Sequence, residues 1–118
     1  MGDPTLDATR LLDIPILATA EDATHVGPLV PELADEMPAG IPVHTKMVFG
    51  LADQPDLRAA VEGTGRRDLV LTGLETDVCV AQSALGLQEA GWKVVVIFDA
   101  VTSPGVGHEQ GLSRLRDA

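Results

Sequence analysis

The sequence predicts an α/β protein built on a doubly wound parallel sheet, and two observations carry that prediction. Short apolar runs of strand length alternate with segments of helical period from one end of the chain to the other, as in a sheet with crossover helices. Within that alternation, residues 68–98 (DLVLTGLETDVCVAQSALGLQEAGWKVVVIF) form a strand, a sharp turn, a helix and a second strand.

In chain order, residues 5–13 read as the end of a helix that Pro15 forbids from continuing. Residues 14–19 (IPILAT) read as a buried strand, 20–31 as a loop with Gly27 and two prolines, and 30–36 as a short helix started by Pro31. The next strand is 41–45, with Lys46 at its C-terminal end. Asp53 is placed to cap a helix over 54–62, with Leu57, Ala60 and Val61 as its buried stripe and Gly63 and Gly65 as its stop. In the central unit, Leu69, Val70 and Leu71 lead to Thr72 and Gly73. Thr76 is the expected N-cap, Ala81, Ala84, Leu85 and Gln88 repeat at helical spacing, and Gly91 ends the helix. Residues 94–98 are apolar at every position, as in a strand covered on both faces. A turn-rich loop over 99–107 and a helix over 108–118, with Leu112 and Leu115 on one face, complete the chain.

The 118 residues suit one domain with one core, spanning 1–118. With 18 acidic and 8 basic residues the net charge is −10, which argues against nucleic-acid and anionic-membrane partners. No run approaches the roughly 18 apolar residues of a membrane span, and the first ten residues lack the pattern of a signal peptide. One cysteine forms no internal disulfide, so a cytoplasmic location is expected.

That cysteine, Cys79, falls in the first turn of the predicted helix. Backbone N–H groups there have no intrahelical partner and the dipole favours an anion, so a thiol ionises more readily and an oxyanion can be received. A lone cysteine is also commonly a small buried hydrophobe. In open α/β sheets ligands bind at the carboxyl ends of strands, where both Lys46 and Cys79 stand, although a lysine at a strand end is most often simply solvated.

Residues 73–84 (GLETDVCVAQSA) closely resemble the nucleophile segment of the isochorismatase-like cysteine hydrolases, a group that includes nicotinamidases and N-carbamoylsarcosine amidohydrolases. Residues 45–50 (TKMVFG) resemble the segment with the catalytic lysine, Asp99 and Ala100 the end of the fifth strand, and 27–33 (GPLVPEL) a segment of branches with poorly assigned substrates. The resemblance implies Cys79 as nucleophile, Lys46 as the cation favouring its thiolate, a cis peptide between Leu74 and Glu75, and an oxyanion hole made by the N–H groups of Glu75 and Cys79. Thr76 and Asp77 shape the turn. The implied reaction is hydrolysis of an amide-type C–N bond in a small molecule through a thioester, with no cofactor, in a homo-oligomer.

Two departures accompany the resemblance. The family's catalytic aspartate ends its first strand, and no segment of that kind occurs: Asp3 and Asp7 precede the helix, and Asp13 stands at the wrong end of its strand. Nicotinamidases bind a cation through an Asp-x-His segment, whereas His25, His44 and His108 are scattered singly and read as surface or loop residues, so no metal is expected. In the family's strand order, 3-2-1-4-5-6, the four predicted strands are the second to fifth. A partial domain lacking the first and last strands, and inactive alone, is therefore expected. A non-catalytic or degenerate oligomer component and a redox-sensing thiol protein are the other readings.

Overall fold

The computed structural model describes Thr9, residues 11–21 and residues 43–118. The chain divides into two compact units, Met1–Met47 and Val48–Ala118. As predicted, the fold is α/β with strands paired in parallel. The expected helix at 30–36, the 27–33 segment and His25 lie outside the described residues.

In the first unit, Thr9, Leu11 and Leu12 are helical, and Asp13 takes a left-handed conformation (φ 54°) that closes the helix. The Ile14 N–H donates back to the Thr9 carbonyl at 3.0 Å. Ile14 is thus spent on the helix end, and Pro15 has no N–H to give to a ladder. These two facts displace the first strand: β1 is Ala18–Glu21, not 14–19, and Ile14 and Leu17 are exposed rather than buried. Ala20 and Glu21, expected in a loop, belong to this strand. β2, Val43–Lys46, runs parallel to β1 with register from Ala18↔Val43 to Glu21↔Lys46.

In the second unit, Asp53 does not cap a helix. It ends a short 3-10 turn, Leu51–Asp53, and Gln54 stands at the N-cap of α1, Pro55–Gly63. Pro55 explains the shift, since its fixed φ suits a first helical residue. Leu57 and Val61 are buried, and Gly65 (φ 70°) follows the end of the helix.

β3 is Asp68–Leu74, α2 is Ala81–Glu89, β4 is Lys93–Thr102 and α3 is Gly107–Arg116. Between β3 and α2 lies a wide π-type turn, Thr76–Val80, so Glu75 rather than Thr76 takes the cap position. The wide turn rotates the phase of the helix behind it. Its buried side is Ala81, Ser83, Ala84 and Leu87, while Leu85 is half-buried and Gln88 exposed. Gly91 ends α2 as predicted, with φ 109°, its N–H on the Gln88 carbonyl and the Trp92 N–H on the Leu87 carbonyl, each at 3.0 Å.

β4 runs beyond the expected end at 98, through Asp99 and Ala100 to Thr102. Its pairing with β3 is regular from Asp68↔Lys93 to Leu71↔Val96, then resumes at Gly73↔Val101 and Leu74↔Thr102. The extra length of β4 forms a bulge. Val80, Val101 and Leu112 form a buried hydrophobic cluster in this unit, with Val96 packed on it. Contrary to the expectation of two covered faces, Val70 and Val95, which face each other in register, are 59% and 48% exposed.

Candidate active site

The turn after β3 is set by backbone geometry first. The Leu74–Glu75 peptide bond is cis, as the resemblance implies. The Glu75 carbonyl then accepts the N–H groups of Val78 and Val80 at 3.2 and 3.0 Å, which winds Thr76–Val80 into its wide turn. Cys79 is the fourth residue of that turn, half-buried, two positions before α2. The thiol therefore stands at the positive end of a helix dipole.

Two side-chain pairs fix the turn to the segment around the start of α3. Thr76 is fully buried, with its hydroxyl 2.8 Å from Nδ1 of His108. The Ser103 hydroxyl donates to Oδ1 of Asp77 at 2.7 Å and accepts the Asp77 N–H at 3.4 Å. The bulge in β4 carries the chain to Ser103, alongside the turn. Glycines let α3 approach: a Cβ on Gly107 would lie 2.6 Å from the Asp77 carboxylate, and one on Gly111 2.8 Å from the backbone of Thr76 and Asp77. Thr76 and Asp77 thus shape the turn. His108, expected as a surface or loop residue, is instead half-buried in a helix and bonded; His44 lies half-buried on β2.

The other side of the turn is tied by Ser83, one helical turn beyond Cys79. Its hydroxyl accepts the Leu51 N–H at 3.0 Å and donates to the Phe49 carbonyl at 3.4 Å. Gly50, between them, is buried against Gln82 and Asp53.

Lys46 belongs to the first unit and Cys79 to the second. At the end of β2, Lys46 is 5% exposed, and its Nζ donates to Oε2 of Glu21 at 2.6 Å. Glu21 carries no mark in the sequence, because the pair depends on the cross-strand register. Among the described residues no group of three or more His, Cys, Asp or Glu side chains could hold a metal ion.

The Isochorismatase domain family matches residues 4–118. The chain is 36% identical over 121 residues to isochorismatase domain-containing protein 2 of Bos taurus, covering 100% of this chain and 56% of the relative. Among solved structures it is similar to the YcaC gene product of Escherichia coli, described as an octameric hydrolase of unknown specificity. There the TM-score is 0.87 and the identity 30%, over 96% of this chain and 56% of that one. It is also similar to YcaC of Pseudomonas aeruginosa, solved with hexane-2,5-diol and covalent acrylamide, with a TM-score of 0.85 and 32% identity over 95% of this chain and 56% of that one. The chain thus spans about half the length of the curated relatives it matches. On the match over nearly every residue, and on the turn it explains, the chain belongs to the isochorismatase domain family.

Proposed function

We propose that the protein is a cysteine hydrolase that cleaves an amide-type C–N bond in a small molecule, with Cys79 as nucleophile. The observation that carries this reading is the half-buried thiol on a turn wound tightly around the Glu75 carbonyl, in a member of a hydrolase superfamily. The covalent acrylamide of the Pseudomonas relative agrees with a nucleophilic group in that relative. The sulfur attacks the carbonyl carbon, the C–N bond breaks and the amine leaves with the thiol's proton. Water then attacks the thioester, releasing the acid and restoring the thiol. The N–H groups of Glu75 and Cys79 receive the oxyanion.

Lys46 is the cation that favours the thiolate in this reading. Its support is the resemblance of residues 45–50 to the segment with the catalytic lysine. We read residues 1–118 as one partial domain, the protein as a cytoplasmic homo-oligomer, and its reaction as independent of cofactors and metal. The octameric relative supports the oligomer. No helix among the described residues is long and apolar enough to cross a membrane.

The test is alkylation of Cys79 by iodoacetamide near neutral pH, together with amidase assays. Wild type is expected to react stoichiometrically and Lys46→Met about tenfold more slowly, through loss of a nearby positive charge. Equal rates would remove Lys46 from the site, and an inert thiol would remove Cys79. Alkylation by a protein that never turns over an amide, even with the family's aspartate supplied, would favour the redox or non-catalytic readings.

A further inference from the structure

We propose that His108 is a positioning residue for Cys79: its Nδ1 accepts the Thr76 hydroxyl proton, and that bond sets the direction in which the Thr76–Val80 turn presents the sulfur. This role presupposes that Cys79 is the nucleophile of a cysteine hydrolase, whereas the Thr76–His108 bond itself is independent of that reading. All the residues concerned belong to the second unit. Thr76 opens the turn and Cys79 is its fourth residue. The Thr76 side chain is completely buried, and its hydroxyl lies 2.8 Å from Nδ1 of His108. Among the described residues that hydroxyl has no second hydrogen-bond partner. A buried O–H without an acceptor is costly, so the hydroxyl donates, Nδ1 accepts, and the proton of the ring sits on Nε2.

Packing alone does not require this pair. Gly107 and Gly111 already bring the α3 backbone against Asp77 and Thr76, and Leu112 joins the cluster with Val80 and Val101. Apolar contacts of that kind hold a distance but are non-directional, whereas a hydrogen bond weakens steeply as its angle closes. A bond between groups 32 positions apart therefore restrains the rotation of the turn as well as its distance from α3. A nucleophile needs that restraint, because displacing reacting atoms by about 1 Å costs up to about 10²-fold in rate. Asp77 is held separately by the Ser103 hydroxyl, 2.7 Å from its Oδ1. Loss of the His108 bond thus releases one point of the turn without unwinding it.

Two readouts test this role. In protein with nitrogen-labelled histidine rings at mildly alkaline pH, the NMR signal missing from His108→Asn identifies the His108 ring. It is expected to show a proton on Nε2 and an Nδ1 resonance that moves in Thr76→Val. A proton on Nδ1 instead, or a resonance indifferent to Thr76→Val, overturns the proposal. The second readout is the ratio of two Cys79 rates, one with iodoacetamide, whose amide oxygen the turn's N–H groups would receive, and one with methyl methanethiosulfonate, which has no amide. Exposure of the thiol changes both rates alike, whereas the position of the sulfur relative to those N–H groups changes only the first. The ratio is expected to fall about tenfold in His108→Ala. It should return in His108→Asn, whose side-chain oxygen reaches the place of Nδ1, and stay low in His108→Gln, whose longer chain carries the amide past it. Thr76→Val is expected to match His108→Ala, and the double variant to be no lower. An unchanged ratio, equal ratios in the Ala and Asn variants, or additive losses in the double variant overturn the proposal, because the bond would then not be what acts on Cys79. If His108→Ala does not fold, the Asn and Gln variants carry the comparison. A wild-type thiol inert to both reagents would sink the cysteine-hydrolase reading and the role of His108 with it, while the ring spectrum would still decide whether the bond exists.

Discussion

In the proposed reading the Cys79 sulfur is the side-chain atom of the turn that serves chemistry rather than shape, and its neighbours show the contrast. Cys79→Ser nearly preserves volume and removes the thiolate, so it is expected to abolish alkylation and any hydrolysis while the thermal midpoint stays within about 2 °C of wild type, a ΔΔG below roughly 0.5 kcal/mol. Thr76 is the opposite case. Its hydroxyl is completely buried and faces His108 across 32 positions of sequence. Thr76→Val keeps the shape but strands the imidazole nitrogen. Chemical denaturation is expected to show a loss of roughly 1–3 kcal/mol, the usual penalty for a buried polar group without its partner. A loss of stability as small as that of Cys79→Ser would mean that water replaces the hydroxyl.

The Thr76–Val80 turn and α3 approach each other backbone to backbone, and two glycines of different kinds separate close approach from simple helix propensity. Gly111→Ala would push a methyl to 2.8 Å from the Asp77 nitrogen and the Thr76 carbonyl carbon, atoms that cannot rotate aside. Destabilisation of about 1–3 kcal/mol is expected, as for other overpacked sites. Gly86→Ala, inside α2, meets only the Ala52 methyl at 3.4 Å. There the helix gains what glycine withholds, so stability should hold or rise by up to about 1 kcal/mol. Parallel melts of the two variants decide the matter, and equal effects would contradict the close approach. Neither glycine is distinguishable from the other in the sequence, because both sit in helices and the difference lies in what the fold brings against them.

What the sequence reveals follows from how local its causes are. The α/β alternation, the helix stop at Gly91 and the cis-bonded turn could be read because each rests on a short run of residues or on a motif. The first strand begins four residues later than its apolar run suggests because Asp13 and Ile14 extend the helix end, an outcome decided by one left-handed backbone. β4 ends beyond its apolar run because its bulge is set by the partner strand. Glu21 carries no mark in the sequence, and His108 reads there as a surface or loop residue, because their partners, Lys46 and Thr76, lie 25 and 32 positions away. The valine pair across β3 and β4 has a colloidal consequence. Each molecule carries ten net negative charges and a patch of bare aliphatic surface. At low ionic strength mutual repulsion keeps such patches apart, but 1 M salt shortens its range to about 3 Å. Light scattering should therefore climb steeply with added salt, and replacing Val70 and Val95 with threonine should flatten that rise.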